Sequence, residues 1–119
     1  MFQKMLQGGS EITDIDVDKM ETVYTRYRKK TNGSVETGTY TTTSQYDTKY
    51  IVVLIGASTD PNSNQSISLS NGKIVKTLNN VVDKYSSLGV YIVDVPVGTT
   101  ITGSMRYLGN VMTVIGFKV

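Results

Sequence analysis

One residue in three of this chain is branched at Cβ: sixteen threonines, fifteen valines and nine isoleucines stand against a single alanine, Ala57. Branched side chains lose rotamer freedom against the preceding turn of a helix and pack well on a pleated surface. The composition therefore predicts sheet. With 119 residues the chain is long enough for one core and too short for two ordinary ones. Its longest apolar run, Tyr50 to Ile55, is about a third of what a membrane-spanning helix requires, which argues against a membrane partner.

The residues that are missing narrow the chemistry. Histidine, the commonest general base at neutral pH, is absent, as are cysteine and tryptophan, so thiolate nucleophiles, thiolate metal sites and disulfides are excluded. Twelve basic and ten acidic side chains give a formal charge of +2, too small for the footprint of a nucleic-acid binder. Met1 to Ser10 contains no apolar run of leader length, which argues for synthesis in the cytoplasm without a signal peptide.

Residues 1–10 read as an extended N-terminal arm, joined to a single domain over 11–119. Phe2, Met5 and Leu6 fall at i, i+3 and i+4, one face of a helical turn, and Gly8-Gly9 separates them from the domain. A segment this short holds no helix alone in water, so these three side chains are the candidate partner-binding residues. From Glu11 onward the pattern has period two: Ile15 and Val17 alternate with aspartates, then Val23, Thr25 and Tyr27 alternate with Tyr24, Arg26 and Arg28, which puts one set on a core and the other in water. Asn32-Gly33 predicts a hairpin returning through the threonine-rich Ser34–Thr43, a strand exposed on at least one side.

Lys49–Thr59 is built on the continuous apolar run that starts at Tyr50 and reads as a central strand buried on both faces. Ser66–Leu69 alternates up to a second Asn-Gly, Asn71-Gly72. Beyond it, Ile74, Val75, Leu78, Val81, Val82 and Tyr85 make a helical stripe, while Asn71-Gly72 equally predicts a hairpin between 66–70 and 73–78; both readings stand. Gly89–Val97 and Thr100–Leu108 are strands, and Gly109-Asn110 turns into a last strand, Val111–Val119, with Val111, Thr113, Ile115, Phe117 and Val119 on one face. Strands at this spacing predict an all-β, two-sheet antiparallel β-sandwich, jelly-roll-like, with at most one short helix.

The candidate chemical constellations have plainer readings. Asp14, Asp16 and Asp18 lack the glycine and glutamate of a calcium loop, whose places hold Lys19 and Thr25, and read as a solvated face; no metal is expected. Arg26, Arg28, Lys29 and Lys30 read as an exposed strand face. Asp47, Asp60, Asp83 and Asp94 stand in separate segments, Ser86 and Ser87 near Lys84 make no dyad, and no glycine-rich phosphate loop occurs. No catalytic residue and no cofactor is expected. Eight tyrosines leave a carbohydrate- or receptor-binding module as the alternative, although Tyr91 and Tyr107 read as packed.

The run Gly89-Val90-Tyr91-Ile92-Val93-Asp94-Val95-Pro96-Val97-Gly98-Thr99-Thr100-Ile101-Thr102 and the closing strand Val111–Val119 resemble the β-sandwich modules of tailed-bacteriophage virion proteins. Those modules occur in tail-fibre and baseplate appendages and in capsid decoration proteins. The opening Met1-Phe2-Gln3-Lys4-Met5-Leu6-Gln7-Gly8-Gly9 is similar to leaders of small phage-encoded proteins. The resemblance implies a non-enzymatic structural protein located in the virion. Its partners would be copies of itself, often as a trimer, and other virion proteins; a surface glycan belongs to the alternative reading.

Overall fold

A computed structural model describes residues 16–29, 36–57, 65–83, 86–105 and 109–119. The arm expected at residues 1–10, with Phe2, Met5 and Leu6, lies outside them, as do Tyr85, Tyr107 and Asn32-Gly33. Among the described residues eight strands occur in the order β1 (Met20–Lys29), β2 (Glu36–Thr41), β3 (Lys49–Ala57), β4 (Gln65–Leu69), β5 (Lys73–Asp83), β6 (Ser86–Asp94), β7 (Thr100–Met105) and β8 (Gly109–Phe117). They form two antiparallel sheets, ordered β1-β8-β3-β6-β5 and β2-β7-β4. The chain is an all-β two-sheet sandwich. Among the described residues its one helical element is a 3-10 turn, Val17–Lys19.

The pairs β1–β8, β2–β7 and β3–β6 are nested one inside the next, the arrangement left when a long hairpin is rolled into a jelly roll. The innermost turn departs from that scheme, because β5 pairs with β6 and not with β4. One sheet therefore has five strands and the other three.

The core fills the space between the layers. Tyr50, Val52 and Leu54 of β3, Tyr91 and Val93 of β6, Met112 and Val114 of β8, and Ile101 and Met105 of β7 are buried there together with Val95. Each strand contributes alternate residues, as the pleat requires. β7 approaches closely because Gly103 has no side chain: a Cβ at that position would stand 2.8 Å from both Leu54 Cδ2 and Met112 Sδ. Buried Thr42 and Thr99 are both satisfied through the carbonyl of Pro96, to which their hydroxyls donate at 2.9 and 2.6 Å. At the other end of the chain, the amide of Val119 donates to Gln45 O at 3.1 Å and that of Asp47 to Phe117 O at 2.8 Å, tying the last strand down.

Several local expectations are corrected. Of the two readings of the segment after Asn71-Gly72 the strand holds over 73–83: branched side chains suit a pleat, and β6 supplies a partner through two register shifts. Neither Asn-Gly stretch joins paired strands, since β1 and β2 lie in different sheets, as do β4 and β5. Gly72 adopts φ +80° and Asn71 Oδ1 accepts its amide hydrogen at 2.8 Å. Positive φ serves a crossing between layers as well as a hairpin. Gly109-Asn110 belongs to β8, not to a turn. The alternation expected around Val17 gives way to the 3-10 turn, where Asp16 Oδ1 accepts from the amide of Asp18 and Val17 is exposed.

Candidate functional site

The register of the large sheet decides what its second face carries. Residues buried toward the small sheet alternate with residues directed away from it, and across β8, β3 and β6 both sets are mostly apolar, Asn110 and Thr113 of β8 being polar. One row runs Tyr27, Val111, Ile55, Leu88 across β1, β8, β3 and β6. The next runs Thr25, Thr113, Val53, Val90 and, on β5, Leu78. A third runs Thr22, Ile115, Ile51, Ile92 and Lys76. Beyond it the face closes on charge, with Asp94 registered between Lys49 and Lys73.

This face is uncovered among the described residues. Tyr27 is 62% exposed, Leu78 53%, Ile55 47% and Leu88 38%, while Ile51, Val53, Val90, Ile92, Val111 and Ile115 are half-buried by their neighbours on the same face. On the opposite side of the same strands Val52, Leu54, Val93 and Val114 are completely buried. The expectation that 49–59 is buried on both faces is therefore corrected over 49–57: β3 is central in its sheet, but among the described residues its outer side chains meet no second layer. Continuous exposed apolar surface of this kind is uncommon on a monomer, which makes the face the candidate site.

The charged run around Arg26 is also corrected. A bulge between Thr22 and Tyr24 places Tyr24 and Arg26 on the inner side of β1, and leaves Tyr27 outside. Arg26 Nη2 donates to Oδ1 of buried Asn110 at 3.1 Å. Its Nε and Nη1 are shielded from solvent and have no hydrogen-bond partner among the described residues. Opposite them β2 has Gly38, where a Cβ would come within 2.7 Å of Arg26 Nε. The guanidinium thus occupies room that a glycine leaves between the layers. Arg28, by contrast, is exposed as expected.

Most of the described tyrosines are inside. Tyr24, Tyr40, Tyr50 and Tyr46 form a chain of tilted rings with centroids 6.3, 5.9 and 6.4 Å apart, and Tyr91 is buried in the core as expected. Burial, chiefly, pushes the Tyr50 phenol up to about 12. At the end of the chain of rings Tyr46 donates its hydroxyl hydrogen to Glu21 Oε1, and Lys118 Nζ lies 3.5 Å from the other carboxylate oxygen. The bond to Tyr46, more than Lys118, holds Glu21 below its ordinary 4.5, and the same bond pushes the Tyr46 phenol up to about 12.

These shifts set the sign of the pH dependence. Glu21 has a depressed folded value, so its contribution is present above its unfolded value and is lost as pH falls through the folded one. Tyr46 has a raised value, so its contribution is present below its unfolded value and is lost as pH rises toward about 12. Tyr46→Phe is expected to melt below wild type at neutral pH, with the difference closing as acid protonates Glu21. Thermal melts from pH 3 to 7 check this; a gap that stays constant over that range would rule it out.

Among the described residues no three acidic side chains gather into a cluster fit for a metal ion. Sequence reasoning missed the outer face, although its signal was present: Ile51, Val53 and Ile55 are interleaved with Val52 and Leu54, and Val90 and Ile92 with Tyr91 and Val93. No family model, curated protein or solved structure matches this chain.

Proposed function

We propose that this chain is a non-enzymatic structural protein of a phage or prophage virion, a capsid decoration or tail appendage. It acts through self-association and through docking of its N-terminal arm. The observation that carries the reading is the open apolar face of the five-stranded sheet, with aliphatic side chains directed outward from β8, β3 and β6. Such a face offers adhesion and no reactive group. The nested strand order is compatible with the reading, since jelly rolls include viral capsid domains, but they include lectins as well.

The carbohydrate-binding alternative draws less support from the site. Sugar faces stack on exposed rings, and of the described tyrosines only Tyr27 is largely exposed. The other described rings pack in the interior or remain half-buried.

The arm supplies the direct test. Removing residues 1–9 is expected to leave the melting temperature of the domain unchanged and to abolish incorporation into particles. Quantifying the protein in purified virions, with and without the deletion, reads this out. Undiminished incorporation of the shortened chain would remove the arm from the mechanism, and absence of the full chain from particles would remove the virion reading itself.

A further inference from the structure

We infer that the outer face of the five-stranded sheet is a self-complementary contact, packed face to face on the same face of a second copy of this chain. The inference deepens the assembly reading and rests on it. Three observations select a second copy as the occupant.

The first is area. Five strands at about 4.8 Å and three rows at about 6.8 Å outline roughly 500 Å² of face, so two copies bury on the order of 1,000 Å² between them. That reaches the lower bound for a specific protein interface.

The second is shape. Sheets built from L-residues twist with one hand, and an identical sheet laid at about −30° keeps contact along the whole face at a spacing of about 10 Å. The small sheet of this sandwich already covers the inner side of β3 in the layered manner required. A sugar or a single helix would cover only part of the outer side.

The third is charge. Within the three rows Lys76 is the one charged residue, and it lies on the edge strand β5. The centre, Val53 with Val90 beside it, is aliphatic, so a copy meets it without stranding a charge. The Lys49, Asp94, Lys73 row then lies at the rim, where water reaches it.

Three substitutions and one mass measurement test the inference. Val53→Lys puts a charge at the centre of the face and Leu78→Lys puts one on an exposed position of the edge strand, so the second folds even if the first does not. Thr37→Lys alters an exposed residue of β2, on the other sheet, as the control. Circular dichroism confirms the fold of each, and sedimentation equilibrium or native mass spectrometry at about 50 µM gives the assembly. An even-numbered wild type is expected, with Val53→Lys weakening the pairing by roughly 100-fold, the consequence of burying an unpaired charge. Leu78→Lys weakens it by roughly 10-fold, because an edge ammonium reaches water, and Thr37→Lys behaves as wild type. A hexamer that falls to trimers on Val53→Lys supports the face pairing equally.

A monomeric wild type, a trimer alone, or folded lysine variants that assemble undiminished would overturn it. So would a loss shared equally by Thr37→Lys. A trimer alone overturns the face pairing while leaving the virion reading in place; that reading depends on recovery of the chain from particles.

Discussion

Leu54→Ala is expected to lower the free energy of unfolding by about 3–4 kcal/mol, because the deleted methyl groups lose their transfer energy and leave a cavity that close packing cannot fill. Leu54 is completely buried and lies against Gly103 of the small sheet, where a Cβ would stand 2.8 Å from its Cδ2. In a domain of this size that corresponds to a melting temperature lower by roughly 15–20 °C. Its chain neighbour provides the contrast. Ile55 is directed to the other face and is 47% exposed, so Ile55→Ala should cost the isolated chain less than about 1 kcal/mol. Urea melts at low protein concentration measure both. Equal losses at the two positions would mean that the inner and outer faces are not distinguished as the structure has them.

The second large effect concerns the polar pair inside the sandwich. Asn110→Leu takes away the acceptor that Arg26 Nη2 uses at 3.1 Å, on a guanidinium whose Nε and Nη1 already have no partner among the described residues. The expected cost is about 2–4 kcal/mol, most of it from leaving a shielded cation without a hydrogen-bond acceptor. Adding Arg26→Met to Asn110→Leu should recover a substantial part, since a flexible apolar side chain fills the same room without a charge to desolvate. If the single variant melts like wild type, Arg26 does not depend on this bond. If the double variant melts no higher than the single, the cost lies with Asn110 itself.

How far the fold was legible depends on which forces act locally. The excess of valine, isoleucine and threonine predicted sheets and two layers because branching acts residue by residue. The threonine face of β2, with Thr37, Thr39 and Thr41 exposed, was read correctly for the same reason. Pairing was not legible. Asn71-Gly72 states only that the backbone reverses there, and β5 takes β6 as partner because of what lies far along the chain. The stripe from Ile74 to Val82 fits a helix by spacing, and tertiary pairing decided otherwise.

Arg26 was misread for a different reason. A single extra residue between Thr22 and Tyr24 shifts every later side chain of β1 to the opposite face, and nothing in the composition marks a bulge. The outer apolar face was legible in part. Lys49–Thr59 reads as apolar on both sides, and the natural inference from that is burial on both sides within one chain. Among the described residues the small sheet covers only the inner side of β3, and no layer meets the outer one.

The nesting of the strands has a consequence for how the molecule comes into being. Apart from β5 and β6, every pair of consecutive strands is divided between the two sheets, and β1 finds its partner only in β8. On a ribosome the first strand therefore waits for the eighth, and little of the architecture can settle before nearly all of it has been translated. β8 also contributes Val111 and Ile115 to the outer face of the large sheet. A chain released before β8 would therefore lack both the partner of β1 and one column of that outer face, so synthesis halted short of that point yields neither.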